Sequence, residues 1–271
     1  MTGTPHPAPG APAGEWLGCS LGERTASWTD RDAILFALAV GARPDQLDLV
    51  FEERLRVLPS FALTLAQWAP DVLGGAGAFD VTNALHGSQV LEARAPMPAS
   101  GELTMKATVS GVWDKGSAAV YDVTVESDYF LATWSLFAPG RGGFGGERGP
   151  SRSPAPDVAP AWTAQLPVAD NAAVLYRLLG DRHHIHVDPE AAAGIGQPRP
   201  ILHGLATLSA ATLVLADRAG AHPADLRRLE GRFAAPVFPG ETLEVRGWDG
   251  GVFDVVSERG PVLAGGLADF A

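Results

Sequence analysis

TDRDAILFALAVGA at residues 29–42 and ADNAAVLYRLLGDR at residues 169–182 lie 140 positions apart and read alike. Asp30 and Asp170, Ala33 and Ala173, Ile34 and Val174, Leu35 and Leu175, Phe36 and Tyr176, and Leu38 and Leu178 correspond. Two further anchors keep nearly the same spacing. VLPSFALTL around Pro59 stands 141 residues before RPILHGLATL around Pro200, and PASGELTM around Gly101 stands 139 before VFPGETLEV around Gly240. Shared apolar bias explains any one match but not three at one offset, so the chain is read as two copies of one plan.

Each copy has the same coarse order. A short amphipathic helix (Ala33 to Val40; Ala172 to Leu179) leads through an irregular loop to a longer helix beginning at a proline, and strands follow. The second long helix is PILHGLATLSAATLVLADRAG, with Pro200 expected in its first turn and Gly220 as its C-terminal cap. Leu202, Leu205, Leu208, Leu213, Val214 and Leu215 leave it almost no polar face, so protein must wrap it. The strands LEGRFAAPVF, ETLEVRGWD, GVFDVVSER and PVLAGGLADF answer SQVLEARAP, ELTMKATVSGVWD and SAAVYDVTVES in the first copy. Turns such as Asp249-Gly250-Gly251 and Asp114-Lys115-Gly116 link them as hairpins, hence antiparallel. A buried helix with an antiparallel sheet curled around it, made twice, is an α+β design. A parallel βαβ sheet would need strands alternating with helices.

With 271 residues, 46% of them hydrophobic, the chain can fill a sizeable core. The net charge of −11 and the lack of any Lys/Arg-rich run argue against nucleic acid as a partner. Cys19 is the sole cysteine, which excludes an intramolecular disulfide and suits a reducing cytoplasm. No basic and apolar leader and no stretch of roughly 20 apolar residues is present, so no membrane partner is expected. The expected divisions are a flexible tail over 1–26, a first repeat over 27–138, a Gly/Pro-rich linker over 139–157 and a second repeat over 158–271.

The chemistry concentrates where the second short helix ends, in LLGDRHHIHVDPEAA at residues 178–192. Asp181 and His186 on one short irregular segment can converge on a point, an arrangement suited to general acid-base work. The first copy is an internal control. At the 140 offset Gly41 faces Asp181 and Gln46 faces His186, so the scaffold does not need either group for packing.

GDRHHIHVDPEAA followed by RPILHGL resembles the signature of R-specific 2-enoyl-CoA hydratases, the MaoC-like hot-dog proteins. RDAILFALAVGA, VLPSF, LHGSQ, the DKG turn and GGFGGERGPS look like the first half and linker of their two-domain members, so the likeness runs from about residue 27 onward. The resemblance implies a double hot-dog whose second half catalyses while the first makes room for the acyl chain. It implies Asp181 and His186 as the catalytic pair and the backbone N–H of Gly204 as oxyanion donor. Gly204 has a separate physical case, since unpaired N–H groups and the helix dipole at a helix start favour developing negative charge. One departure stands out: His183-His184 replace the Asn-Pro of the pattern, and His183 is a candidate to take over the hydrogen bonding of the asparagine.

The implied reaction is reversible hydration of a trans-2-enoyl-CoA to its (3R)-3-hydroxyacyl-CoA, a hydro-lyase activity of fatty-acid metabolism and β-oxidation, in a homodimer that needs no cofactor. Alternatives are a dehydratase of acyl-carrier-protein thioesters, a hot-dog thioesterase that directs water at the carbonyl, and a non-catalytic acyl-thioester-binding module. Arg199, Arg232 and Lys115 are candidates for the CoA phosphates. His86 and His203 are ambiguous, with His203 expected to satisfy backbone or linker groups, and Trp28, Trp68, Trp113 and Phe61 are expected to fill core, with an acyl channel as the alternative place for some of them. No metal is expected: adjacent His183 and His184 cannot easily share an ion with His186, and no second ligand cluster is apparent.

Overall fold

The computed structural model describes residues 6–150 and 157–271. Among these residues ten strands form one antiparallel sheet in the order β1-β3-β4-β5-β2-β7-β10-β9-β8-β6. The first copy supplies β1 (Ser20–Trp28), β2 (Leu85–Ala93), β3 (Gly101–Asp114), β4 (Ala118–Glu126) and β5 (Phe130–Pro139). The second supplies β6 (Trp162–Pro167), β7 (Leu226–Phe233), β8 (Thr242–Gly247), β9 (Val252–Ser257) and β10 (Gly260–Phe270). The copies join through β2 and β7, where Leu91 lies opposite Leu229 and both are buried. Burial along β4 and β5 alternates residue by residue, as it must when one sheet face packs on a core.

Among the described residues there are seven α-helices. They are α1 (Asp30–Ala39), α2 (Leu47–Val50), α3 (Ala62–Ala66), α4 (Trp68–Gly75), α5 (Ala172–Tyr176), α6 (Pro189–Gly194) and α7 (Gly204–Ala219). Of these, α1, α3, α4 and α7 pack on the sheet. Helix α7 is the wrapped helix of the second copy: it packs against β6, β7, β8 and β10, and Leu205, Leu208, Ala211 and Leu215 are buried. Gly220 ends it in the left-handed conformation expected of a C-cap. The architecture is thus the α+β double hot-dog that the resemblance implies.

Several expectations are corrected. Pro200 lies outside α7, which starts at Gly204 with His203 as N-cap. The backbone N–H of Ile201 donates to Ile185 and that of Leu202 to Val237, and these bonds hold 201–202 out of the helix. The long helix expected after Pro59 is broken into a 3₁₀ turn (Pro59–Phe61), α3 and α4. Pro70 has no N–H to donate to the Ala66 carbonyl, and α3 ends at Ala66. The expected tail is ordered from well before residue 26: Trp16 is fully buried and β1 pairs with β3. Residues 140–150 of the expected linker also pack. The Asp114 carboxylate accepts N–H groups of Gly116, Gly143 and Gly145, and Phe144 lies against the core. The remainder of the linker, 151–156, lies outside the described residues.

Candidate active site

Helix α5 runs into a 3₁₀ turn over Arg177–Leu179, and Gly180 then adopts φ +135°, a conformation that L side chains rarely adopt. This turns the chain so that the Asp181 carboxylate points back over the following loop. Its Oδ1 accepts the backbone N–H of His183 at 3.2 Å and faces His183 Nδ1 at 2.9 Å. A second 3₁₀ turn, His184–His186, buries the His186 ring, and Asp188 closes the loop by capping α6 through the Glu190 N–H.

His186 Nδ1 lies 2.8 Å from the carbonyl of Ile201, the group left exposed because α7 starts late. A carbonyl can only accept, so Nδ1 carries the proton and Nε2 bears a lone pair. That nitrogen stands 4.0 Å from Asp181 Oδ2. Burial pushes the His186 imidazole below its ordinary pKa, against the pull of its bond to Ile201 and of Asp181. For Asp181 burial acts upward, but the hydrogen bond from His183 and the neighbouring imidazoles outweigh it and hold the carboxyl below the ordinary range. The same hydrogen bond, acting on the other partner, raises the pKa of His183. At neutral pH the pair therefore presents two acceptors, a carboxylate oxygen and a neutral nitrogen. One water donating to each at about 2.8 Å, with its own bond angle, spans acceptors roughly 4 to 4.5 Å apart.

Gly204 is the first residue of α7, so its N–H has no intrahelical acceptor, and the residue is exposed just ahead of the buried run Leu205–Ser209. A Cβ at this position would come within 2.8 Å of the Phe233 ring on β7, so only glycine fits without a shift. His203, just before it, is buried at 2% exposure. Its ring stacks on His186 at 3.6 Å, lies 4.8 Å from the Tyr176 ring, and reaches the Asp181 carbonyl through Nε2 at 3.2 Å. Burial pushes its pKa down to about 3, so it is a neutral donor to that carbonyl. The sequence assigned His203 only to backbone satisfaction; its contact with both Asp181 and His186 emerges from the three-dimensional packing.

The structure brings Asp181, His183 and His186 together and does not bring in the three proposed CoA contacts. Arg199 donates to the Pro239 carbonyl and lies over the Phe238 ring. Arg232 precedes Phe233 on β7, and strand alternation turns it to the sheet face opposite Gly204. Lys115 is tied to the Arg148 carbonyl. The His86 ring from β2 lies tilted against Phe233 at 4.6 Å, and burial pushes its pKa down to about 4. Trp28 and Phe61 are core residues as expected, whereas Trp68 also lines an open cavity of about 490 Å³ with Leu21, Glu23, Arg24, Asp71 and Val72. None of the catalytic candidates lines that cavity. Its Asp71 carboxyl, raised by burial, nonetheless feels the charges of His183 and Asp181.

These features, a double hot-dog with an acid-imidazole pair and a helix-end amide in its second copy, define a class of thioester-processing proteins. Residues 152–263 match the MaoC-like domain, and residues 27–130 match the N-terminal domain of MFE-2 hydratase 2. The chain is 38% identical to enoyl-CoA hydratase ChsH3 of Mycobacterium tuberculosis, over 87% of this chain and 88% of that one. It is 37% identical to 3-hydroxyacyl-thioester dehydratase Y of the same organism, over 82% of each. Among solved structures, a MaoC-like dehydratase from Phytophthora capsici superposes with a TM-score of 0.83 at 26% identity, covering 94% of this chain and 96% of that one. The chain belongs to the MaoC-like hydratase 2 family.

Proposed function

We propose that the chain hydrates trans-2-enoyl-CoA thioesters reversibly to (3R)-3-hydroxyacyl-CoA, with catalysis in the second copy. The observation that carries this reading is the pair of acceptors, Asp181 Oδ2 and His186 Nε2, 4.0 Å apart with no proton of their own to offer. Such a pair grips a water by both its hydrogens and turns its oxygen lone pair outward. The pair takes one proton as that oxygen bonds to C3. The C2=C3 electrons move toward the thioester carbonyl, where the Gly204 N–H and the dipole of α7 meet the growing negative charge. The proton then passes to C2 on the same face, so that one water has added. Elimination runs over the same groups in reverse. The comparison with a named hydratase and a named dehydratase supports one site serving either direction.

His183 fixes the carboxylate by two hydrogen bonds to one oxygen, leaving Oδ2 for the water. The broken α3–α4 segment and the cavity beside β1 support the first copy as the place of the acyl chain. We assign the protein to a reducing compartment such as the cytoplasm, in keeping with its single free cysteine, and to a homodimer, which sedimentation tests. No helix among the described residues is long and apolar enough to cross a membrane.

The test is purified protein with trans-2-enoyl-CoAs of increasing length, following loss of the enoyl absorbance and the chirality of the product. Formation of the 3R alcohol is expected. Thiol release without hydration would replace this reading by a thioesterase, and binding without turnover would replace it by a carrier.

A further inference from the structure

Outside its part in holding Asp181, His183 has an effect on what the cluster can bind. One ligand atom each from Asp181, His183 and His186 lies within 4.8 Å of the others. Adjacent His183 and His184 cannot easily share an ion with His186, but in the fold His183 joins His186 and the carboxylate without His184. We propose that these three residues form a divalent transition-metal site that takes Zn²⁺ in the place of the catalytic water.

The donor set suits such an ion: two imidazole nitrogens and one carboxylate oxygen, with a fourth position open to solvent. Zinc held by bonds of about 2.0 to 2.1 Å spaces tetrahedral ligands about 3.3 Å apart. In the structure His183 Nδ1 lies 2.9 Å from Asp181 Oδ1 and His186 Nε2 4.0 Å from Oδ2, and one ligand atom from each residue falls within 4.8 Å of the others, so the three side chains draw together around the ion. His186 is already set as a ligand, because its Nδ1–H donates to the Ile201 carbonyl and its lone pair faces the cluster. Metal-bound histidines ordinarily have such a backbone or carboxylate partner on the other nitrogen. The His203 ring steadies both other components, through its bond to the Asp181 carbonyl and its stack on His186. His183 has 64% of its side chain exposed, so it is free to swing toward the ion and exchange its Nδ1 proton for it, keeping a proton on Nε2. At the 140 offset the first copy has Gly41, Arg43 and Gln46, which make no such set. An ion here takes up the two lone pairs that would hold the water, so it stops hydration and its removal restores it.

The test uses full-length protein stripped with a chelator and desalted. Co²⁺ is added while its visible absorption is followed, Zn²⁺ binding is measured calorimetrically, and folding of each variant is checked by circular dichroism. One equivalent is expected to bind, with tetrahedral-type Co²⁺ bands. His183→Asn and His183→Gln should each weaken binding at least about tenfold, whereas His184→Asn should bind as the parent does. Absence of binding, parental affinity in both His183 variants, or the same loss in His184→Asn would overturn the proposal. With hydration first established in stripped protein, Zn²⁺ should abolish it and chelator restore it; a bound ion that leaves turnover unchanged also overturns the proposal. Binding is read without substrate, so its outcome is independent of whether the hydratase reading holds.

Discussion

At the scale of the residue, the site depends on which groups remain uncharged. His203 is neutral in the fold, with a pKa near 3 against 6.5 for the free side chain. Its folded pKa is lowered, so the unfolded chain binds more protons between these values. The native state is therefore at full stability above pH 6.5 and loses it as the pH falls toward 3. At pH 5 the loss from this one residue is about 2 kcal/mol. His203→Phe, which keeps an aromatic ring on His186, should be less stable at pH 7 but should show a smaller drop in melting temperature between pH 7 and pH 5. An unchanged drop would mean that His203 is not the buried neutral group. His186 must likewise be unprotonated to accept from water, and its pKa is lowered by burial. The acid limb of kcat/KM should accordingly fall below the ordinary histidine value of 6.5, and a limb above it would contradict the assignment. Asp181 and His186 were legible in the sequence because the second copy has them and the first does not. The role of His203 was not, since stacking on a residue 17 positions away depends on the extended 201–203 segment, and Pro200 had suggested helix there.

Elements explain why the site is where it is. The late start of α7 exposes both the Ile201 carbonyl that orients His186 and the Gly204 N–H that faces solvent. Gly204→Ala brings a methyl against the Phe233 ring and should lower stability by about 1 to 3 kcal/mol as well as activity. Combined with Phe233→Leu, which removes the ring, it should regain most of the lost melting temperature; no regain would show that the clash lies elsewhere. Strand alternation and hairpin turns predicted seven of the strands, but β1, β5 and β6 were missed. In SLGERTASW and WTAQLP, at β1 and β6, apolar residues are too sparse to stand out, because an edge strand needs only a few inward contacts. FLATWSLFAP, at β5, buries every second residue between β4 and β2, but Leu131 and Phe137 on the other face blur that alternation in the sequence.

For the molecule as a whole, the duplication predicts two similar halves but does not say how they meet. They meet by pairing β2 with β7, reinforced by the hydrogen bond of His222 with Asp48 and the ion pair of Arg56 with Asp225. Loss of packing at the seam should be felt by both copies. Leu91→Ala should cost about 2 to 5 kcal/mol and leave a single calorimetric transition. Two separated transitions would mean that the halves are independent domains. The fold thus sets a copy that carries Asp181 and His186 against one with Gly41 and Gln46 at those places, and the proposed hydration rests on what Asp181 and His186 do together. Its most direct test is the hydration rate of Asp181→Asn and His186→Ala beside the parent, on the same enoyl-CoA and with folding verified. Each substitution is predicted to slow hydration at least about 100-fold, whereas near-parental turnover by either folded variant would contradict the claim.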